Sequence, residues 1–148
     1  MAQNNRATFG TVWTFKAGRF VVSLELTRDY GYKYDGEDED GETQAALDCG
    51  DFVAFDSAVI VELDGEEIGA DYLGGSVYSR DGVEDFYIGH RDIDPMNRNC
   101  SIMRAAHGGN RSIGHYFPDM VSQAIGQARR TIAARKADAA RLPIMRAA

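Results

Sequence analysis

Phe52-Val-Ala-Phe-Asp-Ser-Ala-Val-Ile-Val-Glu-Leu63 precedes the pair Asp64-Gly65, and Glu66-Glu-Ile-Gly-Ala-Asp-Tyr-Leu73 follows it. Both runs are rich in apolar residues, and the first is rich in the β-branched and aromatic residues that favour strands. An Asp-Gly pair between two such runs is a strong local signal for a tight hairpin turn, because both residues tolerate positive φ. The stretch therefore predicts a β-hairpin that ends at Gly74-Gly75, although Val77 and Tyr78 could extend its second strand.

A second hairpin is predicted upstream, between the runs at residues 8–15 and 19–27. Phe20, Val22, Leu24 and Leu26 alternate with polar residues, and this period of two is typical of a half-buried strand. Gly18 lies between the runs and can adopt the positive φ that a tight turn requires.

The C-terminal part has the periodicity of helices. After Pro118, apolar residues recur at spacings of one, three and four, namely Met120, Val121, Ala124, Ile125, Ala128 and Ile132. Pro143 is expected to end this helix, and shorter helices are predicted at residues 83–88 and 94–106. Strands followed by helices predict an α+β fold, an antiparallel β-meander of about four strands packed against a long C-terminal helix plus one or two short helices. We expect a single domain over residues 1–148, with an acidic loop at 29–51 and a frayed tail after about residue 141.

Composition narrows the possible partners. The chain contains 16 Lys and Arg residues and 23 Asp and Glu residues. The resulting net charge of -7 argues against nucleic acid as a direct ligand. Neither a signal peptide nor an apolar run long enough to cross a membrane is present, so we predict a cytoplasmic protein without a membrane partner. In that compartment both cysteines, Cys49 and Cys100, are expected to be free thiols.

The charge is segregated along the chain. Residues 29–67 contain 14 acidic residues and one basic residue, whereas residues 118–148 contain two acidic and six basic residues. The acidic stretch is interpreted either as a solvated loop or as a surface that docks a basic partner, such as a host protein that handles nucleic acid. Tyrosine rings immediately before it are of the kind enriched at interfaces. The predicted partner-binding residues are Tyr30, Tyr32, Tyr34, Asp35, Glu37, Asp38, Glu39, Asp40 and Glu42.

An enzyme is the main alternative. Polar residues crowd into residues 90–119, and a hydrolase or transferase there would use Cys100 with His107 or His115. On a continuous helix Cys100 and His107 would lie about 10 Å apart along the axis, which is too far for a catalytic pair. No metal is predicted, because the acidic loop lacks EF-hand spacing and the Cys and His residues lack zinc-site spacing. Phosphate-binding and nucleophile-elbow motifs are also missing, so no cofactor is predicted.

Three segments carry a resemblance to a known group of proteins. They are Ile68-Gly-Ala-Asp-Tyr-Leu-Gly-Gly75, Asp94-Pro-Met-Asn-Arg-Asn-Cys-Ser-Ile-Met-Arg104 and Ser112-Ile-Gly-His-Tyr-Phe-Pro-Asp-Met-Val121. The chain resembles small uncharacterised proteins carried by phages and other bacterial mobile elements, over roughly residues 11–130. The resemblance implies a context of defence inhibition, as in anti-CRISPR proteins, and no residue role.

The leading hypothesis is therefore a small acidic binding module that occludes a basic surface of a host protein and catalyses no reaction. The alternative hypothesis is an enzyme. The third hypothesis is an oligomeric accessory protein, such as a homodimer, whose C-terminal helix pairs with a copy of itself.

Overall fold

A computed structural model describes residues 9–87 and 116–147 of the chain, with four strands in one antiparallel sheet of order β1-β2-β3-β4. The strands are β1 (Gly10–Ala17), β2 (Phe20–Arg28), β3 (Phe52–Leu63) and β4 (Glu66–Ser79). Helix α1 (Glu42–Cys49) lies between β2 and β3, a 3₁₀ helix (Arg80–Phe86) follows β4, and helix α2 (Tyr116–Ala147) ends the chain. The predicted α+β meander with a C-terminal helix is confirmed, whereas the helix predicted at 94–106 lies outside the described residues.

Both hairpin turns lie at the same end of the sheet. Asp64 and Gly65 have φ of 53° and 83°, which is the backbone that a two-residue type I′ turn requires. Gly18 supplies a φ of 60° in the other turn. The guanidinium of Arg19 binds the carboxylate of Asp64, so one ion pair joins the two turns. The opposite end of the sheet carries Gly10, Arg28, Phe52 and Ser79.

One face of the sheet forms the core. Val22, Leu24 and Leu26 are 5%, 0% and 1% exposed, as their alternation predicts. Their register partners on β3 are Val61, Val59 and Ser57, which are buried on the same face. Because direct partners in an antiparallel pair point the same way, this row buries a continuous surface for a helix to cover.

Strand β4 continues through Gly74 and Gly75, so the expectation that this pair ends the hairpin is wrong. Phe55 pairs with Ser76 and Ser57 pairs with Leu73, which leaves Asp56 opposite two residues of β4. Gly75 has a φ of 71°, and its N–H donates to the Asp56 carboxylate at 3.2 Å. The glycines therefore make a bulge that the strand passes through, and they do not stop it.

Helix α2 covers the buried face of the sheet. Met120, Val121, Ala124 and Ala128 are at most 4% exposed, and Ile125 packs against the core while remaining partly exposed. Phe117 is fully buried and meets Trp13 of β1 edge-to-face, with ring centroids 5.0 Å apart. The apolar stripe that the sequence predicts is therefore the face that packs on the sheet.

The closest approach between helix and sheet occurs at Gly69 of β4. A Cβ atom at this position would lie 2.7 Å from the Ala128 nitrogen and closer still to the carbonyl oxygen of Ala124. Beside this contact the Gln127 side chain accepts the N–H of Ala70 at 2.7 Å. Glycine at position 69 thus lets the helix backbone rest directly on the strand.

Two predicted helix boundaries differ from the structure. The helix predicted at 83–88 is a 3₁₀ helix that begins at Arg80 and ends at Phe86. At three residues per turn, Val83 and Phe86 point to the same side, and both are buried. Helix α2 continues past Pro143 to Ala147, so the predicted stop is also wrong. Pro143 lies in the last turns of a helix that already has about seven turns before it, so the proline affects only the end of the helix.

Substitution of Gly69 tests the contact that seats α2. Gly69→Ala should lower the free energy of unfolding by about 1–3 kcal/mol or more, because the added methyl meets helix backbone that cannot rotate away. The matched control is Gly126→Ala on α2, where a Cβ would meet only the Arg130 side chain, at 3.6 Å. This control should raise stability by about 0.5–1 kcal/mol, because alanine is the better helix former. Chemical denaturation measures both, and equal effects at the two positions would contradict the close approach.

Candidate functional site

The acidic segment, defined as residues 29–51, leaves the sheet at the end of β2 and returns at the start of β3. Its first residue extends the strand pairing, since the Asp29 N–H donates to the Ala54 carbonyl at 2.9 Å. The segment then contains helix α1, which packs against β3 and which the sequence analysis missed. A plain solvated loop, one of the two interpretations of this stretch, does not describe it.

Asp38 holds the beginning of helix α1. Its two carboxylate oxygens accept the N–H groups of Thr43 and Gln44, at 3.0 and 3.1 Å. These N–H groups belong to the first turn, where a helix leaves its donors without internal partners. Gly41 precedes the helix with a φ of 68°, and Gly50 follows it with a φ of 88°. The carboxylate of Asp38 is therefore part of the local structure as well as of the surface charge.

Gln44 ties the tyrosine-bearing stretch to the helix. Its side-chain oxygen accepts the Tyr34 N–H at 2.8 Å, and its amide nitrogen donates to Asp48 at 2.9 Å. Asp29 also orders the chain locally, because its carboxylate accepts the N–H of Gly31 at 3.1 Å. These bonds connect the start of the segment to helix α1.

The three tyrosines have different environments. Tyr30 is 69% exposed, and the guanidinium carbon of Arg28 lies 4.7 Å from the centre of its ring. Tyr32 and Tyr34 are half-buried, because the ring of Tyr32 lies beside Gly75 of β4 and that of Tyr34 lies over Gly36. Tyr30 is thus the ring that a partner can reach most fully.

A cleft of about 290 Å³ opens between the tyrosine-bearing stretch, the C-terminal end of α1 and the start of β3. Phe52, Val53 and Ala54 of β3 and Leu47 of α1 give it apolar walls. Its polar lining comes from Arg28, Asp29, Tyr30, Tyr32, Lys33, Asp48 and Cys49. Cys49 is free and exposed, with its thiol 3.5 Å from the Ala46 carbonyl oxygen.

Two groups of the segment have shifted pKa values. The hydrogen bonds from the backbone N–H groups of Thr43 and Gln44 lower the pKa of Asp38, because they stabilise its charged form. Partial burial raises the pKa of Tyr32, and the negative charge of Asp35 raises it further. At neutral pH the segment therefore presents a carboxylate at Asp38 and a protonated phenol at Tyr32.

The six carboxylates among the predicted partner-binding residues fall into two groups. Exposed carboxylates line the outside of the segment, at Asp35, Glu37, Glu39, Asp40 and Glu42. Asp38 is half-buried, and its carboxylate is engaged with the first turn of α1. Chemically, the exposed group can accept charge-assisted hydrogen bonds from arginine and lysine, and the face of Tyr30 can stack on a guanidinium.

Sequence reasoning missed the cleft and the residues that line it. Helix α1 had a local signal, because Gln44-Ala-Ala-Leu47 are good helix formers and Gly50 suits the position after a helix. No local pattern in the sequence indicates that Arg28, Asp48 and Cys49 share a cleft, because they meet only when α1 packs against β3.

The residues of the enzyme hypothesis, Cys100, His107 and His115, lie outside the described residues. Within residues 9–87 and 116–147, no group of three or more His, Cys, Asp or Glu side chains could hold a metal ion. In the same part of the chain, no helix combines the length and apolarity that a membrane crossing requires.

Comparisons with protein-family models, with curated proteins and with solved structures found no match to this chain. The resemblance to proteins of mobile elements therefore stays a prediction.

Removal of the Asp38 carboxylate should unfold the first turn of α1 without unfolding the sheet. In Asp38→Ala we expect the backbone amide shifts of Thr43 and Gln44 to move to unstructured values in NMR spectra, while those of β2 and β3 persist. Asp40→Ala is the matched control, because Asp40 is exposed and two residues away. Equal shifts in both variants would contradict the capping role.

The same contact predicts the effect of pH. The pKa of Asp38 is lowered in the folded protein, so its contribution is complete above the pKa of the unfolded chain and is lost as pH falls through the folded value. The Thr43 and Gln44 amides should therefore keep their shifts from neutral pH down to the ordinary aspartate range and change only at more acidic pH. A transition near neutral pH would contradict this assignment.

Proposed function

We propose that this protein is a binding module whose acidic segment occupies a basic, nucleic-acid-binding surface of another protein. The observation that carries the proposal is the exposure of five carboxylates on a segment that is hydrogen-bonded to helix α1. These carboxylates offer the same acceptor chemistry as nucleic-acid phosphates, so they compete for the same arginine and lysine side chains.

Preorganisation supports this role. A flexible acidic tail would lose conformational freedom on binding, and that loss would reduce its affinity. In this chain Asp38 and Gln44 have already ordered the segment around α1. The contacts of the exposed carboxylates with the partner therefore offset less lost conformational freedom than those of a flexible tail would.

Tyr30 adds an aromatic contact beside the charges. Its ring is largely exposed, and Arg28 lies over it at 4.7 Å, so the ring already accepts a guanidinium within the chain. Arginine and tyrosine are both enriched at the centres of interfaces. The exposed part of the Tyr30 ring can contact the partner beside the carboxylates.

The resemblance to mobile-element proteins suggests the class of partner. We expect a host protein in the bacterial cytoplasm that handles nucleic acid, such as a component of CRISPR or of another defence system. The mechanism is occlusion, in which the bound acidic segment excludes nucleic acid from the partner without any covalent step. Affinity capture from the host supplies the partner for the tests below.

A four-residue amide variant tests the role of the charge. Asp35→Asn, Glu37→Gln, Glu39→Gln and Asp40→Asn together should slow association with the captured partner by about tenfold or more at low salt, because the field of the segment steers encounter. The wild-type rate should fall as salt rises, and the variant rate should change less. Association kinetics on a surface carrying the partner measure both rates.

The matched control removes four exposed carboxylates elsewhere, through Glu25→Gln, Glu67→Gln, Asp81→Asn and Glu84→Gln. Both variants have the same net charge, so a difference between them locates the effect in the acidic segment. The control should associate at close to the wild-type rate, and wild-type protein should displace nucleic acid from the partner. Unchanged association of the segment variant at low salt, or continued binding of nucleic acid, would contradict the proposal.

Cys49 reports whether the cleft lies within the interface. Its exposed thiol should react readily with a maleimide in the free protein, and a bound partner should slow this reaction because it covers the cleft. Peptide mass spectrometry identifies the labelled site, and Cys49→Ser confirms the assignment. If the partner leaves the labelling rate unchanged, the interface excludes the cleft.

A further inference from the structure

Helix α2 extends well beyond the sheet that it covers. Near the β3–β4 turn, Arg135 of the helix forms an ion pair with Glu66 of β4, at 2.6 and 3.2 Å. The helix then continues to Ala147, which is about 18 Å further at 1.5 Å per residue. The side chains from Ala133 to Arg141 are all exposed.

The exposed side of this helix is basic. Arg129, Arg130, Lys136 and Arg141 fall within an arc of about 140° at 100° per residue, opposite the stripe that packs on the sheet. We call these four residues the basic face of α2. Two nearby carboxylates are already engaged, since Glu66 pairs with Arg135 and Asp64 pairs with Arg19. Asp138 lies 4.0 Å from Arg141, where both side chains are more than three-quarters exposed and the pair contributes little.

The basic face and the acidic segment lie toward opposite ends of the molecule. The helix extension passes the end with the two hairpin turns, whereas the acidic segment joins β2 and β3 at the other end. Strand β3 has 12 residues, so the two ends are about 40 Å apart. Charges attract weakly beyond about 8 Å at physiological salt, so groups at opposite ends of this strand do not pair within one chain.

We propose that the basic face of α2 docks on the acidic segment of a second copy of this chain. Charge complementarity identifies a second copy of the chain as the partner of the basic face. Every copy carries the acidic segment, and this segment lies toward the other end of the sheet from the helix extension. Two different surfaces meet in this contact, so the association is head-to-tail and either closes into a ring or stays open. The contact uses the same carboxylates as the proposed function, and self-association and partner binding exclude each other.

Charge reversal with a mixing rescue tests this contact by sedimentation velocity. The segment-reversed variant carries Asp35→Lys, Glu37→Lys, Glu39→Lys and Asp40→Lys. The helix-reversed variant carries Arg129→Glu, Arg130→Glu, Lys136→Glu and Arg141→Glu. At about 20 mM salt the wild-type mass should rise above 16.3 kDa with concentration, and at about 500 mM salt it should return to that value. Each variant alone should stay monomeric, because both of its surfaces then have the same sign.

An equimolar mixture of the two variants should associate again, because each reversed surface then meets its complement on the other variant. Circular dichroism confirms that both variants fold, and restored association in the mixture shows that both surfaces are intact. Wild type that stays monomeric at low salt overturns the proposal, as do reversed variants that associate alone or a mixture that stays monomeric. The helix-reversed variant keeps the acidic segment, so its association with the captured partner reports on the proposed function separately.

Discussion

Helix α2 rests on strand β4 at Gly69, where the backbones of helix and strand touch because no side chain separates them. Ala124 and Ala128 face this position, and their small side chains complete the fit. The contact sets the distance between helix and sheet and the rotation of the helix about its axis. The hydrogen bond of Gln127 to Ala70 and the ion pair of Arg135 with Glu66 set the direction of the helix along the strand. The core on one side and the basic face on the other follow from this one placement.

The length of the sheet then determines how the charges are distributed in space. Helix α2 extends past the end of the sheet that has the hairpin turns. The acidic segment connects β2 and β3 at the other end. The two ends of β3 are about 40 Å apart, which far exceeds the range of electrostatic attraction at physiological salt. Within the described residues, acidic charge therefore collects toward one end of the sheet and basic charge toward the other.

The acidic segment differs from a simple charged loop because some of its polar groups serve its own structure. Asp38 and Gln44 satisfy backbone N–H groups, which leaves the neighbouring carboxylates and Tyr30 to face solvent. This division between internal and external roles resembles that of a preorganised interface, in which the ordering cost has been met before the partner arrives. It suits recognition of a basic surface, whether on a partner protein or on a second copy of the chain.

The sequence by itself determined the two hairpins and helix α2, because period-two alternation in β2, the Asp64-Gly65 turn and the stripe from Met120 to Ile132 are local patterns. It also located the acidic segment and the basic helix. Only the tertiary structure decided that Gly74-Gly75 is a bulge, that Asp38 caps α1, and that Arg28, Asp48 and Cys49 share a cleft. Those features depend on contacts between residues far apart in the chain, or on which of several adjacent carboxylates faces inward. Four acidic side chains in a row, such as those of residues 37–40, carry no local signal that distinguishes the cap from its neighbours.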